Sequence, residues 1–130
     1  MKGAVMRVAR ACADVDALAD QYARGLGFEV LGQWRDHEGF DGAVLGHRRA
    51  PYHLEFIHAH DEPEPPPPHP ENLLVFYLPD TADWTERCTA AEAAGFRSVP
   101  NANPYWERVG RTYADREGGR VILQNAAWTT

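Results

Sequence analysis

The chain states one pattern twice. An apolar stretch from Ala4 to Ala11 runs into Asp14, an amphipathic segment and then Leu26-Gly27-Phe28; further on, Leu73 to Leu78 runs into Asp80, a second helical segment and Ala94-Gly95-Phe96. Gly27 and Phe28 are thus answered by Gly95 and Phe96. A duplicated unit with strands before and after each helix predicts two matched half-sheets around a concave site. That bounds the kind of function without naming a reaction.

At 130 residues the chain has the length of one domain and can bury a core without staples. A net charge of -6, with no basic cluster, speaks against nucleic acid. Arg7 and Arg10 interrupt the N-terminal apolar run short of a secretory h-region, and no stretch reads as a membrane span, so a cytoplasmic protein is expected. Cys12 and Cys88 form no disulfide framework or metal knuckle and read as plain buried thiols.

Asp14 is placed to cap a helix over residues 15–24, where Val15, Leu18, Ala19 and Tyr22 recur at helical spacing and Gly25 follows as a stop. Strands are expected at residues 28–35, 40–47 and 52–58, the first two joined by the polar hairpin segment Asp36-His37-Glu38-Gly39. The Pro- and Glu-rich stretch 61–71 lacks the amide donors of a ladder and reads as an extended connector. A second unit follows: a strand at 73–78, a helix over 82–94, a strand at 96–99, a loop at 100–106, and strands at 111–114 and 120–125 around the turn Asp115 to Gly119. The expected architecture is α+β, with two tandem βαβββ modules at residues 1–60 and 72–126, a concave mixed sheet and helices on its convex face.

In that order and spacing, three features resemble the vicinal oxygen chelate superfamily, which includes glyoxalase I, bleomycin-resistance proteins and extradiol dioxygenases. They are Asp14 to Phe28, His53-Leu54-Glu55-Phe56, and the turn from Asp115 to Gly118 before a last strand. The resemblance spans nearly the whole chain. It implies four matched metal-ligand positions, on the first and last strands of each unit. Here those positions hold Arg7, Glu55, Leu73 or Leu74, and Ile122. Arginine stays protonated, and leucine and isoleucine donate nothing, so the standard metal centre is expected to be missing and no cofactor is expected. The ligands of one ion converge, so Arg7 and Glu55 are expected to meet as an ion pair.

Strand alternation puts His53 and Glu55 on one face and Leu54 and Phe56 on the other. Glu55 and His53 are the candidate catalytic pair; the alternative is an ion-pair partner and a rim histidine. His37 and Asp41 read either as a pocket edge or as a solvated hairpin. Trp34, Tyr105 and Trp106 are candidate walls of a ligand pocket, Trp128 a cap on a core edge. Tyr77 and Gln124 share strand faces with Leu73 and Ile122 and would add polar groups to an apolar basin. His58, His60, His37 and His69 read as surface histidines rather than a metal site.

Two functions lead, with a purely structural or regulatory dimer as a third class. One is a metal-independent binding protein for a small organic molecule, with the acidic balance favouring cations; the other is a lyase, isomerase or dioxygenase, either metal-dependent or using Glu55 as a base. The resemblance implies a homodimer. The expected partner is a small molecule, whose identity the residues do not reveal.

Overall fold

The computed structural model describes residues 1–129. The chain divides into two compact units, one ending at Pro66 and the other beginning at Pro67, so the division falls inside the proline-rich connector. Each unit is a four-stranded mixed sheet with one helix, in the anticipated order.

The first unit contains β1 (Met6–Ala11), α1 (Val15–Leu26), β2 (Glu29–His37), β3 (Phe40–Gly46) and β4 (Tyr52–Ala59), with strand order β1-β4-β3-β2. β1 runs parallel to β4, and the other pairs are antiparallel. Asp14 caps α1, its side chain accepting from the Ala17 amide at 3.0 Å. The helix ends where Gly27 takes the left-handed conformation (φ 75°) and returns its N–H to Ala23, which places the stop later than Gly25. Leu18, Tyr22, Leu45, Leu54 and Phe56 are buried between helix and sheet, with the Tyr22 and Phe56 rings edge-on at 4.9 Å. Leu54 and Phe56 therefore face α1. His53 and Glu55 face away from it.

The second unit contains β5 (Leu73–Tyr77), α2 (Thr81–Ala93), β6 (Arg97–Val99), β7 (Gly110–Ala114) and β8 (Arg120–Gln124), in the order β5-β8-β7-β6. Asp80 caps α2 through the Asp83 amide at 2.9 Å. α2 covers the Tyr113 face: Tyr113 donates to the Glu92 carboxylate at 2.8 Å, and the Trp84 indole donates to the Leu123 carbonyl at 2.9 Å. The expected turn before β8 is present. Asp115 Oδ1 accepts from the amides of Glu117 and Gly119 while Gly118 takes a φ of 89°.

Element ends move by one or two residues from the expected bounds. The segment before β7, expected as a loop, closes a turn of 3-10 helix at Pro104–Trp106, where Asn103 caps the Tyr105 amide. Trp128 is 67% exposed and leans on Tyr77 rather than capping a core edge. Among the described residues, no helix is long and apolar enough to cross a membrane. Cys12 and Cys88 are free and buried.

Candidate functional site

In the first unit, β1 and β4 pair so that Arg7 lies beside His53 and Ala9 beside Glu55. Residues in register on neighbouring strands point to the same side, so Arg7, His53 and Glu55 share the sheet face away from α1. Arg7 Nη1 lies 3.0 Å from Glu55 Oε1, and Arg7 Nε donates to His53 Nδ1 at 3.3 Å. One guanidinium thus joins a carboxylate whose side chain is 13% exposed to an imidazole. Holding Nδ1 as an acceptor leaves Nε2 as the protonated nitrogen of a neutral His53 ring.

Trp34 borders the same face. Irregularities in the β2–β3 ladder bring it opposite Gly42, which in turn pairs with Ile57 two residues beyond Glu55. The indole lies so close over the strand that a Cβ at residue 42 would come within 2.8 Å of its Cη2 atom, and nearer still to two other ring atoms. Glycine there is what lets the ring lie flat on the strand.

Asp41 does not join this cluster, which corrects its pocket-edge expectation. The register pairs Asp41 with His58, on the face opposite Glu55, because strand side chains alternate. Asp41 accepts instead from the Asp36 amide and contacts His60 Nε2, both at 2.8 Å, while His37 is exposed at the hairpin end. The Asp36 amide and His60 hold the Asp41 carboxyl below its usual range, and the hydrogen bond to Asp41 lifts His60 above its ordinary value. His58 points its Nδ1 at the Cys12 carbonyl, 2.9 Å away.

The second unit repeats the arrangement with different chemistry. Leu73 pairs with Arg120, and Ile122 stands two residues on, so Leu73, Arg120 and Ile122 occupy the places of Arg7, His53 and Glu55. The same register excludes Leu74, which pairs with the fully buried Val121 on the helix side. Gly42 is answered by Gly110, where a Cβ would lie 2.6 Å from the Trp106 carbonyl and would collide with the Gln124 amide.

Of the aromatic candidates, Trp106 lines a cavity of about 390 Å³ with Leu73, Asn101, Thr112 and Arg120. Tyr105 packs edge-on to Trp106 at 4.7 Å. Partial burial, then a hydrogen bond with Tyr105, pushes the Tyr77 hydroxyl above its ordinary value. Gln124 is 2% exposed and its Oε1 meets no donor among the described residues. Asn101, Thr112 and Arg120 were not singled out from sequence. Arg120 could have been, by laying the second unit on the first and asking what replaces His53.

Among the described residues, no group of three or more His, Cys, Asp or Glu side chains is placed to hold a metal ion. Burial pushes the Cys88 thiol up, away from thiolate chemistry.

Residues 6–57 match the YycE-like N-terminal domain and residues 71–125 the YycE-like C-terminal domain. YycE of Bacillus subtilis (strain 168) is 34% identical over 125 residues, which cover 96% of this chain and 90% of the relative. The chain belongs to the YycE-like family. A crystal structure of a YycE protein of unknown function from Bacillus subtilis superposes with a TM-score of 0.89 and 33% identity, over 98% of this chain and 93% of that one. More distant relatives share the fold. FosX, a fosfomycin resistance protein from Mesorhizobium loti, aligns at TM-score 0.73 with 8% identity, over 98% and 94% of the two chains. Glyoxalase I of Leishmania major aligns at 0.68 with 17% identity, over 92% and 84%. The YycE-like chain therefore carries the fold of the vicinal oxygen chelate superfamily, as the resemblance implied.

Proposed function

We propose that this YycE-like protein binds a small organic molecule on the sheet face that carries Arg7, His53 and Glu55, and that it does so without the metal centre that the resemblance implies. The observation that carries this reading is the 3.0 Å pair between Arg7 and Glu55. Of the four positions that the resemblance implies as ligands, Glu55 alone is a donor, and its carboxylate is already engaged by a permanent cation. A divalent ion at that point would sit against the guanidinium and find too few donors to replace its hydration shell. An arginine, a histidine and the flat ring of Trp34 suit the recognition of a polar, partly aromatic molecule. The two free, buried cysteines support a reducing compartment and so a cytoplasmic protein.

A second reading is favoured by the imidazole beside the carboxylate. With Nδ1 accepting from Arg7, His53 presents Nε2 and Glu55 keeps a second oxygen, an arrangement able to move a proton between neighbouring atoms of a bound substrate. Fold relatives that include glyoxalase I and a fosfomycin resistance protein lend this reading some weight.

Metal content measured by plasma mass spectrometry, on untagged protein as purified and after incubation with nickel, zinc, manganese or ferrous iron, tests the first reading. It expects no stoichiometric metal, together with saturable small-molecule stabilisation in thermal-shift screens. Stoichiometric metal that disappears in Glu55→Ala would overturn it. Turnover that persists in chelator and is lost in both Glu55→Ala and His53→Ala would establish the second reading.

A further inference from the structure

The two units treat the cation on the sheet face away from the helix differently. In the first, the guanidinium of Arg7 is neutralised by Glu55. In the second, Arg120 stands in the place of His53, and the place of Glu55 is taken by Ile122, which is fully buried and carries no charge. No counter-ion from the sheet has followed the arginine. Arg120 Nε is sealed from water and meets no acceptor among the described residues. With no carboxylate beside it among the described residues, the part of this guanidinium that lines a cavity is left to take an anion.

The side chain is half-buried and lines the cavity of about 390 Å³ described above, a volume suited to a small organic ligand. The cavity has a polar side and an apolar side. Asn101 donates from Nδ2 to the Thr112 hydroxyl at 3.3 Å, which leaves the hydroxyl proton for an incoming acceptor. The loop is tied down by its own asparagines: the Asn103 amide donates to Asn101 Oδ1 at 2.9 Å and the Tyr105 amide to Asn103 Oδ1 at 3.0 Å. Trp106, Leu73 and Pro100 supply the apolar wall. Glu71 lies at the mouth, is exposed, and makes no ion pair with Arg120.

We propose that this cavity binds the carboxylate of a small organic acid, with Arg120 and Thr112 donating to the carboxylate oxygens and Trp106 covering a flat apolar body. A planar guanidinium matches a carboxylate with two parallel hydrogen bonds, and the charge-assisted contact outweighs the net negative charge of the chain at short range. The proposal concerns the second unit alone and stands whatever the Arg7–Glu55 face accepts.

Titration of the full-length, 15N-labelled protein with benzoate, benzamide and inorganic phosphate, followed by amide and indole chemical shifts, tests it. Benzoate is expected to saturate below about 1 mM and to move the signals of residues 101–103, 112 and 120 and the Trp106 indole. Benzamide, isosteric but uncharged, is expected to bind at least about tenfold more weakly. Arg120→Gln is expected to lose about tenfold or more in benzoate affinity and Arg120→Lys less, with an unchanged fold by circular dichroism. Arg24→Ala, which removes a surface cation on α1, is expected to bind as the native chain does. Equal affinity for benzoate and benzamide, phosphate binding as tight as benzoate, or full affinity in Arg120→Gln would each overturn the proposal.

Discussion

Replacing Gly42 with alanine is expected to lift Trp34 off the sheet. The added methyl would lie within 2.8 Å of the ring, whereas ordinary contact begins near 3.4 Å, so ring and methyl cannot both stay. The backbone at Gly42 is not left-handed, hence the strain falls on the indole alone. Trp34 sits half-exposed on the edge strand β2 and can swing outward. An indole presents about 200 Å²; losing about a third of that from contact, at about 25 cal/mol per Å², costs about 1.5 kcal/mol. Alanine in place of glycine returns about 0.5 kcal/mol by restricting the unfolded chain. The net loss is therefore about 1 kcal/mol. With Trp34→Ala already in place the collision is gone, and Gly42→Ala should stabilise by about 0.5 kcal/mol, a coupling of about 1.5 kcal/mol between the two sites. Urea unfolding of the four proteins of this cycle measures the coupling, and 19F spectra of fluorotryptophan-labelled chain report whether the Trp34 signal alone moves. If Gly42→Ala costs the same in both backgrounds, the ring does not rest on the glycine and the described packing of Trp34 is wrong.

Three further outcomes are expected. Arg7→Met should destabilise more than Glu55→Gln, by about 1 kcal/mol in urea unfolding, because it strands a carboxylate that is 13% exposed whereas the reverse change leaves a half-exposed guanidinium in water; the opposite order would argue against the pair. His60 contacts Asp41 and Asp36, with Asp61 also near, and its proton affinity is raised from the ordinary value of 6.5, while Asp41 is lowered from 3.8. The raised His60 contributes fully below about pH 6.5 and loses its contribution as pH climbs through its folded value; the lowered Asp41 contributes above about pH 3.8 and loses it as pH falls through its own. The unfolding midpoints of the native chain and His60→Gln should then differ more at pH 5.5 than at pH 8.5, and an equal gap would count against the hairpin clamp. Tyr113→Phe removes a buried hydroxyl that donates to Glu92 at 2.8 Å and should cost about 1 kcal/mol in the same assay, with no loss expected if solvent already satisfies both groups.

Much of this molecule is local in origin. The alternation of β4 put His53 and Glu55 on one face and Leu54 and Phe56 on the other before any fold was known, because successive strand residues must point to opposite sides. Asp14 and the Asp115–Gly119 turn follow from side chains that bond amides a few residues away. The meeting of Arg7 with Glu55 was implied by the resemblance, in which the ligands of one ion converge. Other features depend on partners distant in sequence, and no local pattern announces them. Asp41 lies near the candidate residues along the chain, yet pairing with β4 turns it to the opposite face and into the hairpin clamp. Trp34 borders the Glu55 face only because ladder irregularities bring it over Gly42. Arg120 reads in the sequence as one more charge before a strand. Its meaning comes from the register with Leu73, the uncharged Ile122 in the place of Glu55, and the loop from Pro100 to Trp106 beside it. Periodicity is written in neighbours and can be read from them, whereas the solvation of a charge depends on everything that folding brings around it.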